Sequence, residues 1–180
     1  VACGTAMHAG LAVKSIFENF CNIPVEVDVA SEFRYRNPLV SEKTLSIFIS
    51  QSGETADTIQ ALKLAKSKGS STIAISNVIG SSITREADYY MYTHAGPEIA
   101  VASTKAYTSQ VVLLNILALY FAEILDTADQ KLINEIKKEI MELPNKIEET
   151  LKLEKELAKI SKYIYLSENA FFLGRGIDYP

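Results

Sequence analysis

The sequence predicts an α/β fold: a parallel sheet flanked by helices, followed by a helical hairpin. Three observations carry this. Short apolar runs alternate with segments of helical periodicity up to about Asp126. The runs TLSIFIS (residues 44–50) and STIAIS (residues 71–76) are continuously apolar or small, as strands buried on both faces are. The composition then turns rich in Lys and Glu over residues 130–159.

Each element has its own warrant. Val1-Ala2 reads as the end of a strand and Gly4 as a turn. Residues 5–22 then form a helix with Ala9, Ala12, Val13, Ile16, Phe17 and Phe20 on one face. Residues 23–29 follow as a strand. Residues 30–36 lie near a sheet edge, where the charges of Glu32, Arg34 and Arg36 are ordinary surface. After the strand at residues 44–50, a helix covers residues 55–68, with Ile59, Leu62 and Ala65 at helical spacing and Gly69 as its stop. The strand at residues 71–76 precedes a short helix (residues 82–87), a last strand (residues 89–93) and a long, mostly buried helix (residues 103–125). Beyond it, an apolar stripe through Ile133, Ile136, Ile140 and Leu143 is interrupted by Pro144 and resumes at Ile147 and Leu151, which predicts two amphipathic helices. Residues 170–173, Ala-Phe-Phe-Leu, are a strand candidate running into Gly174. The expected organisation is therefore a domain over residues 1–126, a hairpin over 127–162, and a strand and turn over 163–180.

Bulk properties narrow the function classes. The 180 residues suit one domain, and 48% apolar with 22% charged residues is a globular composition. A net charge of −4 argues against broad nucleic-acid binding. The longest apolar stretch, around residues 111–122, is broken by Asn115 and falls short of a membrane span. Cys3 and Cys21 are too few for a disulfide framework or zinc knuckle, which points weakly to a reducing, cytoplasmic setting. No signal peptide is recognisable, and Val1 in first place suggests an excerpt of a longer chain.

In an open parallel sheet, ligands bind beyond the carboxyl ends of the strands. Four such loops exist here: after Ala2, after Ile49, after Ile75 and after Thr93. The second is the most informative. Ser50, Ser52 and Thr55 surround Gly53 at a helix start, where free N–H groups and the helix dipole favour a phosphate. The loop has no Lys or Arg and no Walker pattern, so a small sugar phosphate suits it better than a triphosphate. Glu54 in the first turn competes with an anion, and Ser and Thr at helix starts are often only caps. His8 and His94 have no metal-pair spacing, so neither a metal nor a cofactor is expected. Lys105 sits at a helix start, where a cation is mildly disfavoured, and Gly174-Arg175-Gly176 says little alone.

Several blocks together are far more specific: CGT from Cys3, ASEFRYR (residues 30–36), SQSGETADT (residues 50–58), GSSITREAD (residues 80–88) and AGPEIAVASTKAYTSQ (residues 95–110). In this order they resemble the first half of the sugar isomerase (SIS) region of the glutamine–fructose-6-phosphate aminotransferase family, also called glucosamine-6-phosphate synthases. The resemblance implies a three-layer αβα sandwich with a flavodoxin-like sheet, a homodimer, and fructose 6-phosphate or glucosamine 6-phosphate as ligand. It implies phosphate contacts at Ser50, Gln51, Ser52 and Thr55, and sugar contacts at Cys3, Gly4, Thr5, Val101, Ala102 and Ser103. It gives the hairpin the task of connecting to a second SIS half.

Two departures are visible. Ala6 stands where that family usually has Ser, so one hydroxyl contact to the ligand is expected to be lost. No position matches the family's glutaminase cysteine, ring-opening histidine or proton-moving glutamate; only Glu54 and Glu98 are carboxylates in the strand-end loops. The expectation is a chain that binds sugar phosphate and turns it over poorly or not at all. Three alternatives stay open: another SIS sugar-phosphate isomerase, a non-enzymatic SIS module that senses a sugar phosphate, and a purely structural fragment. The strand candidate at residues 170–173 is further expected to pair with the open sheet of its own or a neighbouring chain.

Overall fold

The computed structural model describes residues 1–99 and 103–180. In chain order the elements are α1 (Thr5–Cys21), α2 (Ala30–Tyr35), β1 (Leu45–Ser50), α3 (Ala56–Ser67), β2 (Ser71–Ser76), α4 (Ser82–Glu86), β3 (Tyr89–Tyr92), α5 (Lys105–Leu125), α6 (Gln130–Met141), α7 (Leu143–Leu151) and α8 (Glu154–Ile164), with a 3-10 turn at Gly176–Asp178. The sheet runs β1-β2-β3, all parallel, with Leu45 opposite Ser71 and Ile73 opposite Tyr89.

Two single-residue bridges extend this sheet. Ala2 pairs in parallel with Ile49 on one side and with Val29 on the other. The lateral order is therefore Val29, Ala2, β1, β2, β3. In chain order that is second, first, third, fourth, fifth: the flavodoxin-like order, with its switch point between Ala2 and β1.

Strand alternation separates two cores. Ile47, Ile49, Ile73 and Ile75 face α1 and α5, joining Ala9, Val13, Phe17, Leu114 and Ala118. Phe48 and Ala74 face the other way, against Phe33 of α2, Ala61, Leu62 and Ala65 of α3, and Ile83 of α4. The result is three layers. Gly69 and the left-handed Asn22 and Asp126 end α3, α1 and α5 as residues that tolerate positive φ.

Several expectations need correction. Residues 23–29 form no strand beyond the Val29 bridge: among the described residues their one bridge partner is Ala2, and one residue makes no ladder. Residues 30–35 are the helix α2, not a sheet edge: Ala30 and Phe33 are buried, and the Phe33 ring meets Phe48 edge-on at 6.2 Å. The hairpin is three short helices, with Pro144 in the first turn of α7, where its missing N–H costs nothing. No residue of α7 or α8 is buried. Residues 170–173 have no strand partner among the described residues, and Phe171, Phe172 and Leu173 are 90%, 97% and 94% exposed. The expected pairing with the chain's own sheet is thus absent there. Finally, α5 is by length and composition long and apolar enough to cross a membrane, against the expectation from Asn115. Asn115 lies inside this helix, its Nδ2 donating to Val111 O at 2.8 Å. One face of α5, through Ala106, Leu114, Leu117, Ala118 and Ala122, is buried, and Leu114, Leu117, Ala118 and Ala122 join α1 in the larger core.

Candidate functional site

The loops after Ala2 and after β1 flank the switch point. β1 delivers Ser50 buried at the sheet's carboxyl end. Its hydroxyl accepts from Gly53 N at 3.0 Å and shares a 3.1 Å hydrogen bond with the Thr55 hydroxyl. Ser52 Oγ accepts from Glu54 N at 3.2 Å. Thr55 is the N-cap of α3 by backbone geometry but makes no side-chain cap bond, which leaves the first N–H groups of α3 open to an incoming acceptor.

Gly53 explains why the loop is so tight. Its φ is +69°, and a Cβ there would lie 2.1 Å from Ser81 Oγ and 2.8 Å from Ser76 Oγ. The loop is also joined to the neighbouring one, since Asn77 N donates to Gln51 O (3.1 Å) and Ile83 N to Gly53 O (3.0 Å).

The charges near this cradle are already committed. Glu54 turns toward α4, where Oε1 accepts from Ser82 N at 2.7 Å; that bond holds its carboxyl below the usual range. The expected competition with an anion is thereby reduced. Asp57, in the first turn of α3, is paired with Arg34 at 2.9 Å.

On the other side of the switch point, Cys3 is half-buried, Gly4 (φ +56°) is the N-cap position of α1, and Thr5 is exposed. Gly4 O accepts from Met7 N at 3.0 Å. The Thr58 hydroxyl of α3 donates to Cys3 Sγ over 3.9 Å, a weak contact that links the two loops. Ala6 is 7% exposed and belongs to the core between α1 and α5.

The loop after β3 is organised by Glu98. Its carboxylate accepts from Thr104 N (2.9 Å), Thr104 Oγ1 (3.0 Å) and Ser103 Oγ (3.1 Å). These bonds, Thr104 N foremost, hold the Glu98 carboxyl below its ordinary range. Ser103 thus stands at the start of α5 with its hydroxyl on Glu98. Val101 and Ala102 lie outside the described residues. The structure therefore brings the Cys3 turn and the Ser50 loop together, while it gives Ser103 only a local partner.

The weaker candidates stay weak. His8 is exposed, and His94 is exposed with its ring edge-on to Tyr92 at 6.1 Å. Lys105 is exposed at the first turn of α5. Among the described residues no cluster of His, Cys, Asp or Glu could hold a metal. A cavity of about 280 Å³ lies elsewhere, against the amino-terminal half of β1, lined by Val13, Phe17, Val25, Val27, Leu45 and Ile47. Its walls are mostly apolar, with Lys14, Glu26, Asp28 and Arg36 also on the lining, and none of residues 3–5 or 50–55 lines it, so the chemistry favours the Ser50 cradle.

Two residues had little signal in sequence. Asn77 looked like one polar residue after a strand, yet its side chain grips the next loop. Gln110 looked like an ordinary helix residue, yet it is 2% exposed and its Oε1 has no hydrogen-bond partner among the described residues.

The model of the SIS domain family matches residues 1–120. The glutamine–fructose-6-phosphate aminotransferase [isomerizing] of Clostridium tetani is 55% identical over 179 residues, which is 99% of this chain and 29% of that protein. The enzyme of the same name from Caldanaerobacter subterraneus is 56% identical over the same share of each. The solved C-terminal domain of glucosamine-fructose-6-phosphate aminotransferase from Francisella tularensis is 40% identical, with a TM-score of 0.94 over 98% of this chain and 50% of that one. The chain thus spans less than a third of the length of the Clostridium and Caldanaerobacter enzymes and half of the solved domain.

Proposed function

The chain belongs to the SIS domain family, and we propose that it is the sugar-phosphate-binding part of an isomerising glutamine–fructose-6-phosphate aminotransferase. The carrying observation is the pair of loops at the switch point: the Cys3 turn on one side, and the Ser50–Thr55 hydroxyls with the uncapped start of α3 on the other. In this reading the phosphate of fructose 6-phosphate or glucosamine 6-phosphate takes its hydrogen bonds from Ser50, Gln51, Ser52 and Thr55 and from the first N–H groups of α3. The helix dipole supplies the positive potential that no Lys or Arg of the loop provides. Cys3, Gly4 and Thr5, with Val101, Ala102 and Ser103, contact the sugar.

The parent reaction converts fructose 6-phosphate and glutamine to glucosamine 6-phosphate and glutamate. Moving a proton between neighbouring sugar carbons needs a base whose pKa is near the working pH. Glu54 and Glu98 have theirs lowered by backbone N–H donors, which makes both poor bases. This supports a chain that binds the sugar phosphate while the catalytic groups come from elsewhere in the parent enzyme. A cytoplasmic homodimer goes with the same reading.

Calorimetric titration of the 180-residue chain with fructose 6-phosphate tests the reading. Ser50→Ala removes a hydroxyl at the centre of the cradle. A hydrogen bond to a charged group contributes about 1.5–3 kcal/mol, so affinity is expected to drop about 10- to 100-fold. An unchanged affinity in Ser50→Ala, or no binding by the unmutated chain, would overturn it. Formation of glucosamine 6-phosphate from fructose 6-phosphate and ammonia by this chain alone would overturn the assignment of catalysis to other parts.

A further inference from the structure

The side chain of Glu54 leaves the Ser50 loop and reaches α4. Its Oε1 accepts from Ser82 N at 2.7 Å, the first N–H of a helix whose own N-cap, Ser81, makes no side-chain cap bond. The next residue of α4, Ile83, donates its N–H to Gly53 O at 3.0 Å. Arg85 holds the Ser82 hydroxyl from within α4 at 3.0 Å. Two neighbouring residues of the loop, Gly53 and Glu54, are thus fastened to two neighbouring N–H groups of α4.

That fastening bears on which way the loop hydroxyls point. Ser50 Oγ accepts from Gly53 N at 3.0 Å, and Ser52 Oγ accepts from Glu54 N at 3.2 Å. A hydroxyl oxygen that accepts from a fixed N–H turns its own proton elsewhere. Ser52 is thereby left to donate to a ligand oxygen. Ser50 and Thr55 share one hydrogen bond, so the pair also has one proton left to donate. The two N–H groups that impose this order belong to the two residues tied to α4.

We propose that Glu54 is a positioning residue for the phosphate: by accepting from Ser82 N it holds its own backbone N–H against Ser52 Oγ, so that the Ser52 hydroxyl donates to the ligand. This rests on the function proposed above. Glu54 itself is assigned no contact with the ligand. Charge and position act with opposite signs here. Removing a carboxylate near a bound phosphate relieves repulsion and strengthens binding, whereas removing the anchor weakens it. Glutamine keeps an acceptor oxygen and loses the charge, so it separates the two effects.

The test titrates the 180-residue chain and its variants Glu54→Ala, Glu54→Gln, Ser82→Pro and Ser82→Ala with fructose 6-phosphate. Amide hydrogen exchange is measured on the same samples. Ser82→Pro deletes the donor from the α4 side. The first residue of a helix accepts proline, and Ser81 before it is extended, with φ −63° and ψ 162°. Ser82→Ala removes the hydroxyl and keeps the N–H. Glu54→Ala and Ser82→Pro are each expected to weaken binding about three- to tenfold, and the double variant no more than either alone. Glu54→Gln and Ser82→Ala are expected to bind within about twofold of the unmutated chain, or more tightly. Exchange at the Glu54 amide is expected to accelerate about tenfold in Ser82→Pro and to stay unchanged in Ser82→Ala. Undiminished binding by Glu54→Ala would overturn the proposal, as would a Glu54→Gln variant as weak as Glu54→Ala, or losses that add in the double variant. Ser82→Pro and Glu54→Gln decide the matter if Glu54→Ala fails to fold. Failure of the unmutated chain to bind fructose 6-phosphate would instead remove the functional reading. In that case unchanged exchange at Glu54 in Ser82→Pro overturns the positioning role separately, and accelerated exchange sustains it.

Discussion

Replacing Gly53 by Ala perturbs the cradle at its tightest point, and Gly69→Ala supplies the matched comparison. Both glycines have positive φ, +69° and +85°. Both substitutions therefore carry the left-handed penalty of an L-residue, about 1–2 kcal/mol. At Gly69 the nearest atom to a new Cβ is Glu42 N at 3.6 Å, an ordinary contact, so the penalty ends there. At Gly53 the new Cβ falls 2.1 Å from Ser81 Oγ and 2.5 Å from Ser81 Cβ. Ser81 has no room to retreat: it is 3% exposed, and its hydroxyl donates to that of Ser76, itself fully buried, at 3.2 Å. Relieving the overlap adds about 1–3 kcal/mol of overpacking and threatens a buried hydrogen bond of about 1 kcal/mol. Gly53→Ala is expected to lose about 3–5 kcal/mol in urea unfolding, against about 1–2 for Gly69→Ala. Because Gly53 N donates to Ser50 Oγ, fructose 6-phosphate affinity is expected to fall in the first variant alone. A stability difference below about 0.5 kcal/mol between the two variants would refute the close-approach argument.

The remaining predictions concern other parts of the fold. Ala6→Ser returns the hydroxyl usual in the related family; one added hydrogen bond predicts fructose 6-phosphate affinity about two- to tenfold tighter by calorimetry, and no gain would remove position 6 from the ligand's surroundings. Asp88 is held below the usual aspartate range first by Lys66, at 2.9 Å, and then by the Thr72 hydroxyl and N–H. A depressed folded pKa means its stabilising contribution is complete above the unfolded value near 4 and is lost as pH falls through the lower folded value. Thermal melts between pH 5 and pH 2 should therefore show a shallower decline for Asp88→Asn, and parallel curves would sink the assignment. Gln110→Leu replaces a buried amide oxygen that has no partner among the described residues by an apolar side chain of similar size, and urea unfolding is expected to give unchanged stability or a gain of up to about 2 kcal/mol. A loss above about 1 kcal/mol would mean that the amide is satisfied in solution.

The elements that were legible in sequence are those whose pattern is local. STIAIS is β2 residue for residue, because both its faces are covered and the whole run had to be apolar or small. The Ser50 loop was legible because hydroxyls, a glycine and a helix start recur together within six residues. Residues 23–29 and 170–173 were misread for one reason. Apolar residues in an extended stretch make a strand only when a neighbouring backbone lies alongside, and that neighbour is remote in sequence. ASEFRYR misled in the opposite sense. Its charges suggested an edge, while Ala30 and Phe33, three residues apart, were the buried side of a helix turn that packs on Phe48.

The sequence by itself determined the α/β class, the parallel sense implied by alternating strands and helices, and the hydroxyl-rich make-up of the Ser50 loop ahead of a helix start. These follow from periodicity and from backbone groups within a few residues of each other. Only the tertiary structure decided the lateral order that places Ala2 between Val29 and β1, the diversion of Glu54 onto Ser82 N, and the grip of Asn77 on Thr93, Ala95 and Gly96. Each joins residues 16 or more positions apart in the chain, and a hydrogen bond has an effective reach of about 3 Å. No local pattern encodes such a bond until the sheet has brought its strand ends side by side.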